Sequence, residues 1–321
     1  MGRIIFLNCF PRDCITGGVK TTYRHALLLR RAGFEVQVMQ PDGPPSWLDR
    51  EMAALICSDV TNLTANDLIV FPETLNGWYS KMIRAPLQGK KVIFCQNPYY
   101  FFTYGPSKQN LKEWGVQYIL SPGAYCTRMI QSVLGVDNVL ITPPVVDGTL
   151  FTPQPKSLQI VVSYRKWVGQ ENVVDYAGLM REMLHLKYPQ FTHISWIALQ
   201  NNSEAETADI MGRSAIVLSL GRLESLGITA LEAMAAGCCV VGYHGGGGID
   251  YATAQNGFWH SPEDVEGVVD SLARAITGFS SGDPLLPKML EAGHRAAQAY
   301  APERVSATLK QVYSQLLNAG E

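Results

Sequence analysis

The stretch Leu220-Gly-Arg-Leu-Glu-Ser-Leu-Gly-Ile-Thr-Ala-Leu-Glu-Ala-Met-Ala-Ala-Gly-Cys-Cys-Val-Val-Gly242 decides the fold class. An apolar run over residues 216–220 ends at Gly221, and a short loop closes at Gly227. A helix over 228–236 stops at Gly237, and a second apolar run follows over 239–243. This is a strand–loop–helix–strand unit. Its strands are continuous apolar runs and do not alternate with polar residues, as expected of a parallel sheet covered on both faces.

The same grammar extends outward. Upstream, strands are expected at 158–163 and 193–199, with helices near 171–186 and 204–211. Ser203 and Glu206 have capping-box spacing. Downstream, a helix is expected near 262–276. In the first half, strands are expected at 4–10, 34–40, 67–71, 92–96, 118–120 and 139–141. A helix near 18–31 places Val19, Tyr23, Ala26 and Leu27 on one face, and Gly33 ends it. Residues 142–156 hold Pro143, Pro144, Pro153 and Pro155, a spacing that no regular element survives. The expected organisation is a Rossmann-like domain over 1–145 and a second one over 146–301. A final amphipathic helix over 302–318 carries Val305, Leu309, Val312, Tyr313 and Leu316 on one side.

Composition narrows the class. The chain has 321 residues, 47% hydrophobic and 17% charged, with net charge −2. That is ample apolar material for two cores, and it excludes disordered, collagen-like and disulfide-stapled chains. Residues 1–150 hold 14 Lys and Arg against 11 Asp and Glu, and the remainder hold 12 against 17, so the halves carry +3 and −5. Neither half has the footprint of a nucleic-acid binder. The first apolar run is too short for a secretory signal, and no stretch is long enough for a membrane span. Seven cysteines lack Cys-x-x-Cys spacing, and Cys238-Cys239 lie in an apolar stretch. They read as buried thiols of a reducing, cytoplasmic protein. No Asp-x-Asp pair or Cys/His cluster of metal spacing follows a strand, so no metal is expected.

Three glycine-containing loops follow strands, where open α/β sheets bind ligands. In Thr16-Gly-Gly-Val-Lys20, two glycines let a ligand approach the backbone, and the helix start offers N–H groups to an anion. A plain βα turn explains the same residues. In the second loop, Glu224 precedes the helix and Glu232 lies inside it. The helix is otherwise so apolar that it should be buried all round, where an unpaired carboxylate is costly. Glu232 either pairs with a nearby Arg or joins Glu224 in accepting hydrogen bonds from ligand hydroxyls. The N–H groups of Leu226, Gly227 and Ile228 would face an anion at the helix start. The third loop, Tyr243-His-Gly-Gly-Gly-Gly-Ile-Asp-Tyr251, is costly to order, so a ligand or another domain should approach it closely. His244 reads as a turn residue or a catalytic one. Tyr99, Tyr100, Phe101, Phe102 and Tyr104, with Trp78 and Tyr79, read as core or as a sugar-stacking wall. Lys90-Lys91 read as helix-end or loop charges.

Residues 208–257 resemble the family 4 retaining glycosyltransferases, which have the GT-B architecture of two facing Rossmann-like domains. Their Glu-x7-Glu motif is matched by Glu224 and Glu232, and Val-Val-Gly-Tyr-His-Gly-Gly-Gly-Gly matches the strand and glycine loop after it. Residues 16–20 and 145–151 resemble the family's first glycine loop and its linker, and the last helix resembles one that crosses back onto the first domain. The resemblance implies a nucleotide-sugar on the second domain, with Glu232 at the ribose hydroxyls and Glu224 at the donor sugar. Arg165 and Lys166 match the basic pair that neutralises the diphosphate, with Gly17 and Gly18 approaching it from the first domain. The base would lie near Leu199. Gln96 stands where many members carry a histidine.

The expected activity is therefore sugar transfer with retention, without metal or cofactor, from a nucleotide-diphosphate sugar to a glycan, lipid-linked or small-molecule acceptor. Peripheral contact with the inner membrane face stays an open alternative. A non-catalytic nucleotide-sugar-binding protein is the second reading, favoured by the short chain and the missing histidine. A nucleotide-sugar epimerase on the same fold is the third.

Overall fold

The computed structural model describes residues 2–8, 10–14, 16–75, 77–163 and 175–318. All strand pairs among them are parallel. The chain divides into two compact units, Met1–Val145 with Pro302–Glu321, and Val146–Ala301.

The first unit runs β1 (Ile4–Leu7), α1 (Gly17–Arg31), β2 (Val36–Met39), α2 (Arg50–Ala53), β3 (Ile56–Cys57) and β4 (Leu68–Pro72). It continues through α3 (Gly77–Arg84), β5 (Lys90–Phe94), α4 (Pro98–Thr103), α5 (Lys108–Glu113), β6 (Val116–Ser121), α6 (Ala124–Leu134) and β7 (Val139–Ile141). Its seven strands take the order β3-β2-β1-β4-β5-β6-β7. The second unit holds β8 (Ser157–Ser163), α7 (Tyr176–Lys187), β9 (Ser195–Ala198), α8 (Glu204–Arg213), β10 (Ser214–Ser219) and α9 (Ile228–Ala235). It ends with β11 (Cys239–Tyr243), β12 (Phe258–His260), α10 (Val265–Ser281) and α11 (Leu285–Gln298). Its five strands take the order β12-β11-β10-β8-β9. The last helix, α12 (Pro302–Asn318), packs on α1 in the first unit.

The continuous apolar runs have a direct cause. In β1, Ile4 and Phe6 belong to one core cluster and Ile5 and Leu7 to another, so successive side chains enter cores on opposite faces. In β8, Ile160 and Val162 share a core with α7 and α10, whereas Val161 meets α9 residues. The α12 residues Val305, Leu309, Val312, Tyr313 and Leu316 all join the core that holds Ile4 and Phe6. Burying one such side chain is worth about 1.5–3 kcal/mol.

Several expectations need correction. Strands β3 and β12 were not expected, nor were α2 to α6 and α11. The helices α2 to α5 have eight residues or fewer, too short to show a helical period. In α11 the buried positions are Leu286, Gly293 and Ala297, two of them too small to mark a face. Lys90 and Lys91 are not loop charges but open β5. Lys91 is buried and its ammonium donates to the carbonyls of Ile83, Ala85 and Trp114 at 2.6–3.0 Å. Lys90 donates to carbonyls of Leu316 and Leu317 at the end of α12. Both therefore complement helix C-termini. Of the cysteines expected to be buried, Cys14 and Cys57 are half-exposed.

The proline-rich segment carries no regular element between β7 and β8, yet it is anchored. Val145 is buried in the first unit, and Val146 and Phe151 are buried in the second. His25 of α1, fully buried, donates its Nε2 proton to the Pro143 carbonyl at 2.9 Å, and its Nδ1 meets no partner among the described residues. Burial pushes this imidazole down from 6.5 to about 4, against the opposing pull of the Pro143 carbonyl. The folded state thus keeps His25 neutral where the unfolded chain takes up a proton. Stability is fully present above pH 6.5 and declines as pH falls from 6.5 to about 4, by a total on the order of 3 kcal/mol. Denaturant unfolding at stepped pH should show this slope, and His25→Gln should flatten it.

Candidate functional site

The site grows from the loop between β10 and α9. Gly227, the cap of α9, has φ +78°, and Leu223 has φ +51°, a left-handed conformation that costs a bulky side chain of order 1–3 kcal/mol. The turn is held by the glycine run after β11. The Glu224 N–H donates to the Gly245 carbonyl at 2.7 Å, and the Gly247 N–H donates to the Glu224 carbonyl at 3.0 Å. Glu224 and Gly246 form a one-residue parallel bridge.

This contact explains the glycines. A Cβ on Gly247 would stand 1.7 Å from the Ser225 carbonyl oxygen, and one on Gly245 would stand 2.9 Å from the Glu224 Cβ. The close approach expected of a ligand or another domain is made by the Glu224 loop itself. His244 takes the turn role: its Nδ1 accepts from the Gly246 N–H at 3.2 Å.

The two loops wall a cleft, open to solvent, at the carboxyl ends of β8, β10 and β11. Ser163 and Ser219 form part of its floor, Glu224, Tyr243 and His244 line it, and Gly227, Thr229 and Ala230 bring the first turn of α9 to it. Gly227 supplies no side chain to cap that helix. Helix α9 is not buried all round, contrary to expectation. Ile228, Thr229 and Glu232, spaced by three and four residues, form a half-exposed stripe, while Ala230, Leu231, Ala233 and Met234 are buried. Glu232 is therefore not a carboxylate sealed in a core.

The other nominated residues fall in three places. Leu226 is fully buried in the core beneath the loop, so it can act only through its backbone. Leu199 follows the edge strand β9 directly, its N–H bonded to the Val162 carbonyl at 3.0 Å, and it does not line the cleft. Gly18 and Gln96 come together in the first unit, with Gly17 beside Gly18 in the chain. Gln96 Nε2 donates to the Thr22 hydroxyl at 3.1 Å, and a Cβ on Gly18 would stand 3.4 Å from Gln96 Oε1. Arg165 and Lys166 lie outside the described residues. The aromatic group splits: Phe101 and Tyr79 are core, whereas Trp78 and Tyr104 are 44% and 38% exposed.

Sequence reasoning missed three residues, Arg222, Tyr251 and Glu73. Arg222 stacks its guanidinium 4.5 Å from the Tyr176 ring centre and 5.6 Å from that of Tyr243. Tyr251 also lines the cleft. Glu73 is a buried carboxylate just past β4, and after burial it is the next influence raising the Cys95 thiol. Position just after a strand was the only available signal for Arg222 and Glu73. Among the described residues no group of three His, Cys, Asp or Glu side chains could hold a metal ion, and no helix is long and apolar enough to cross a membrane.

Residues 191–289 match the model of the glycosyl transferases group 1 family. An alpha-1,6-glucosyltransferase of Actinobacillus pleuropneumoniae serotype 7 is 23% identical over 319 residues, spanning 97% of this chain and 94% of that one. A glycosyltransferase from Rickettsia africae superposes with TM-score 0.72 at 15% identity, over 99% of both chains. Anabaena HepE, solved in complex with UDP-glucose, superposes with TM-score 0.60 at 14% identity, over 98% of this chain and 99% of that one. The parallel two-sheet α/β architecture is that of GT-B glycosyltransferase structures, as the sequence led one to expect.

The bridge between the loops makes Gly247→Ala costly. Overpacking at this backbone contact should lower stability by about 1–3 kcal/mol. Gly17, with nothing within 4 Å of its Cβ position, is the control: Gly17→Ala should stay within about 0.5 kcal/mol. Parallel chemical denaturation of both variants checks the contrast.

Proposed function

We propose that this chain is a metal-independent, retaining glycosyltransferase that takes its sugar from a nucleoside diphosphate. The observation that carries the reading is the cleft of the second unit. One loop puts Glu224 beside the uncapped start of α9, and Glu232 stands further along the half-exposed stripe that holds Thr229. The family match over residues 191–289 supports the class, and the UDP-glucose held by HepE makes a UDP-sugar the first donor to test.

The chemistry follows from charge. As the bond from sugar C1 to phosphate oxygen breaks, negative charge grows on the leaving diphosphate. The N–H dipoles at the start of α9 stabilise it without reorganising. Arg165 and Lys166 are proposed as the accompanying cations on their sequence match. The new bond from C1 to the acceptor oxygen forms on the face the diphosphate leaves. The acceptor proton passes to the departing phosphate oxygen, so no enzyme nucleophile is consumed. Glu224 accepts from hydroxyls of the transferred sugar and Glu232 from the ribose. Leu226, Gly227 and Ile228 contribute backbone groups, and Leu199 flanks the base. In the first unit, Gly17, Gly18 and Gln96 contact substrate. The acceptor is a glycan, a lipid-linked sugar or a small hydroxyl compound.

The test uses the full chain and a panel of UDP-, GDP-, ADP- and dTDP-sugars. One donor should raise the melting temperature and be consumed in EDTA, and NMR of the product should show the donor's anomeric configuration. Activity abolished by EDTA and restored by Mn²⁺ refutes metal independence, and binding without turnover would leave a nucleotide-sugar-binding protein. Within the active enzyme, Glu232→Ala should weaken donor binding by about 1.5–3 kcal/mol, the worth of a hydrogen bond to a charged group. Glu224→Gln should lower kcat more than it raises donor KM, because its contact strengthens as the bond breaks.

A further inference from the structure

Tyr251 is a buried phenol, 7% exposed, that nevertheless reaches the cleft. Its hydroxyl donates to the Gly227 carbonyl at 2.8 Å. That carbonyl also accepts from the Ala230 N–H at 3.2 Å, so it is held at the first turn of α9. The oxygen sits in a slot made by two glycines from different loops. A Cβ on Gly227 would stand 3.1 Å from it, and a Cβ on Gly248 would stand 3.2 Å from it. The ring is gripped from behind, edge-on to Trp259 at 6.1 Å and to Tyr300 at 6.3 Å. Its main chain is pinned as well: Asn256 Nδ2 donates to the Tyr251 carbonyl at 2.7 Å, and the Trp259 indole N–H donates to Asn256 Oδ1 at 3.1 Å.

A phenylalanine ring would fill the same place except for the slot that holds the oxygen. The hydroxyl acts on one peptide group. In a trans peptide the C=O and the following N–H point in opposite directions, so fixing the Gly227 carbonyl fixes the Ile228 N–H. Gly227 is left-handed at φ +78° and offers no side-chain cap, so the local tie on that peptide is the 3.2 Å bond from the Ala230 N–H, to which the Tyr251 hydroxyl adds a shorter one from outside the helix.

We infer that Tyr251 is a positioning residue, whose hydroxyl orients the Gly227–Ile228 peptide so that the start of α9 presents its N–H groups to the diphosphate of the donor. The inference rests on the reading of the cleft as a nucleoside diphosphate site. It assigns Tyr251 to the phosphate part of the ligand and not to its base or ribose.

The experiment compares UDP with uridine, or the diphosphate and nucleoside that the donor panel selects, by calorimetry on the full chain. Tyr251→Phe should weaken diphosphate binding about 3–10-fold, the worth of one neutral hydrogen bond, and leave nucleoside binding unchanged. A merely structural role would lower both affinities together or neither. An unchanged ratio of the two affinities overturns the inference. If the Phe variant fails to fold, Gly248→Ala, which crowds the same oxygen, decides in the same way: a selective loss of diphosphate affinity supports the inference, and an unchanged ratio overturns it. Wild-type protein that binds no nucleoside diphosphate refutes the reading of the cleft itself, and the inference falls with it.

Discussion

Two backbone hydrogen bonds, from Glu224 N–H to Gly245 and from Gly247 N–H to the Glu224 carbonyl, tie the loop after β10 to the loop after β11. They make Glu224 a single strand-like residue lodged against the loop after β11. The left-handed turn at Leu223 persists because this pairing over-determines it. The glycines of the 245–248 run serve that contact and the slot for the Tyr251 hydroxyl. The carboxylate that lines the cleft thus takes its place from main-chain geometry, which is stiffer than any side-chain packing around it.

Interior cations serve a different purpose. Both sheets are covered on both faces, so several helices end where water does not reach their last carbonyls. Lys91 closes the end of α3, Lys90 that of α12, and Lys156 donates to Met211 in α8 and to Ala236 after α9. Burial lowers the pKa of Lys91 and of Lys156, because desolvation disfavours the charged ammonium. These lysines are committed to helix ends, and Arg222 is stacked on tyrosines. The cations proposed for the diphosphate are different residues, Arg165 and Lys166.

The carboxylates sort by what fixes them. Glu224 is set by a loop pairing, Glu232 by its place on the half-exposed stripe of α9, and Glu73 by burial beyond β4 in the other unit. A residue on a loop locked by backbone bonds suits a contact that must strengthen as a bond breaks. A residue on a rigid helix suits uniform binding of a ribose. The division of roles proposed for Glu224 and Glu232 rests on the family resemblance and is compatible with those supports.

The sequence by itself determined the parallel α/β architecture, because strands buried on both faces leave apolar runs that need no partner to be recognised. It also determined the positions of α1, α9 and α12, whose spacing, stop glycines and apolar faces are local properties. It singled out Glu224 and Glu232 by their motif. Only the tertiary structure decided that α9 leaves one stripe half-exposed, since exposure depends on what the sheet and α11 fail to cover. Only it showed that Gly245 and Gly247 lie against the Glu224 loop, that Lys90 and Lys91 reach the ends of α12 and α3 from β5, and that Tyr251 reaches Gly227. Each of these is a contact between residues distant in sequence, set by strand order, and no local period or spacing encodes it.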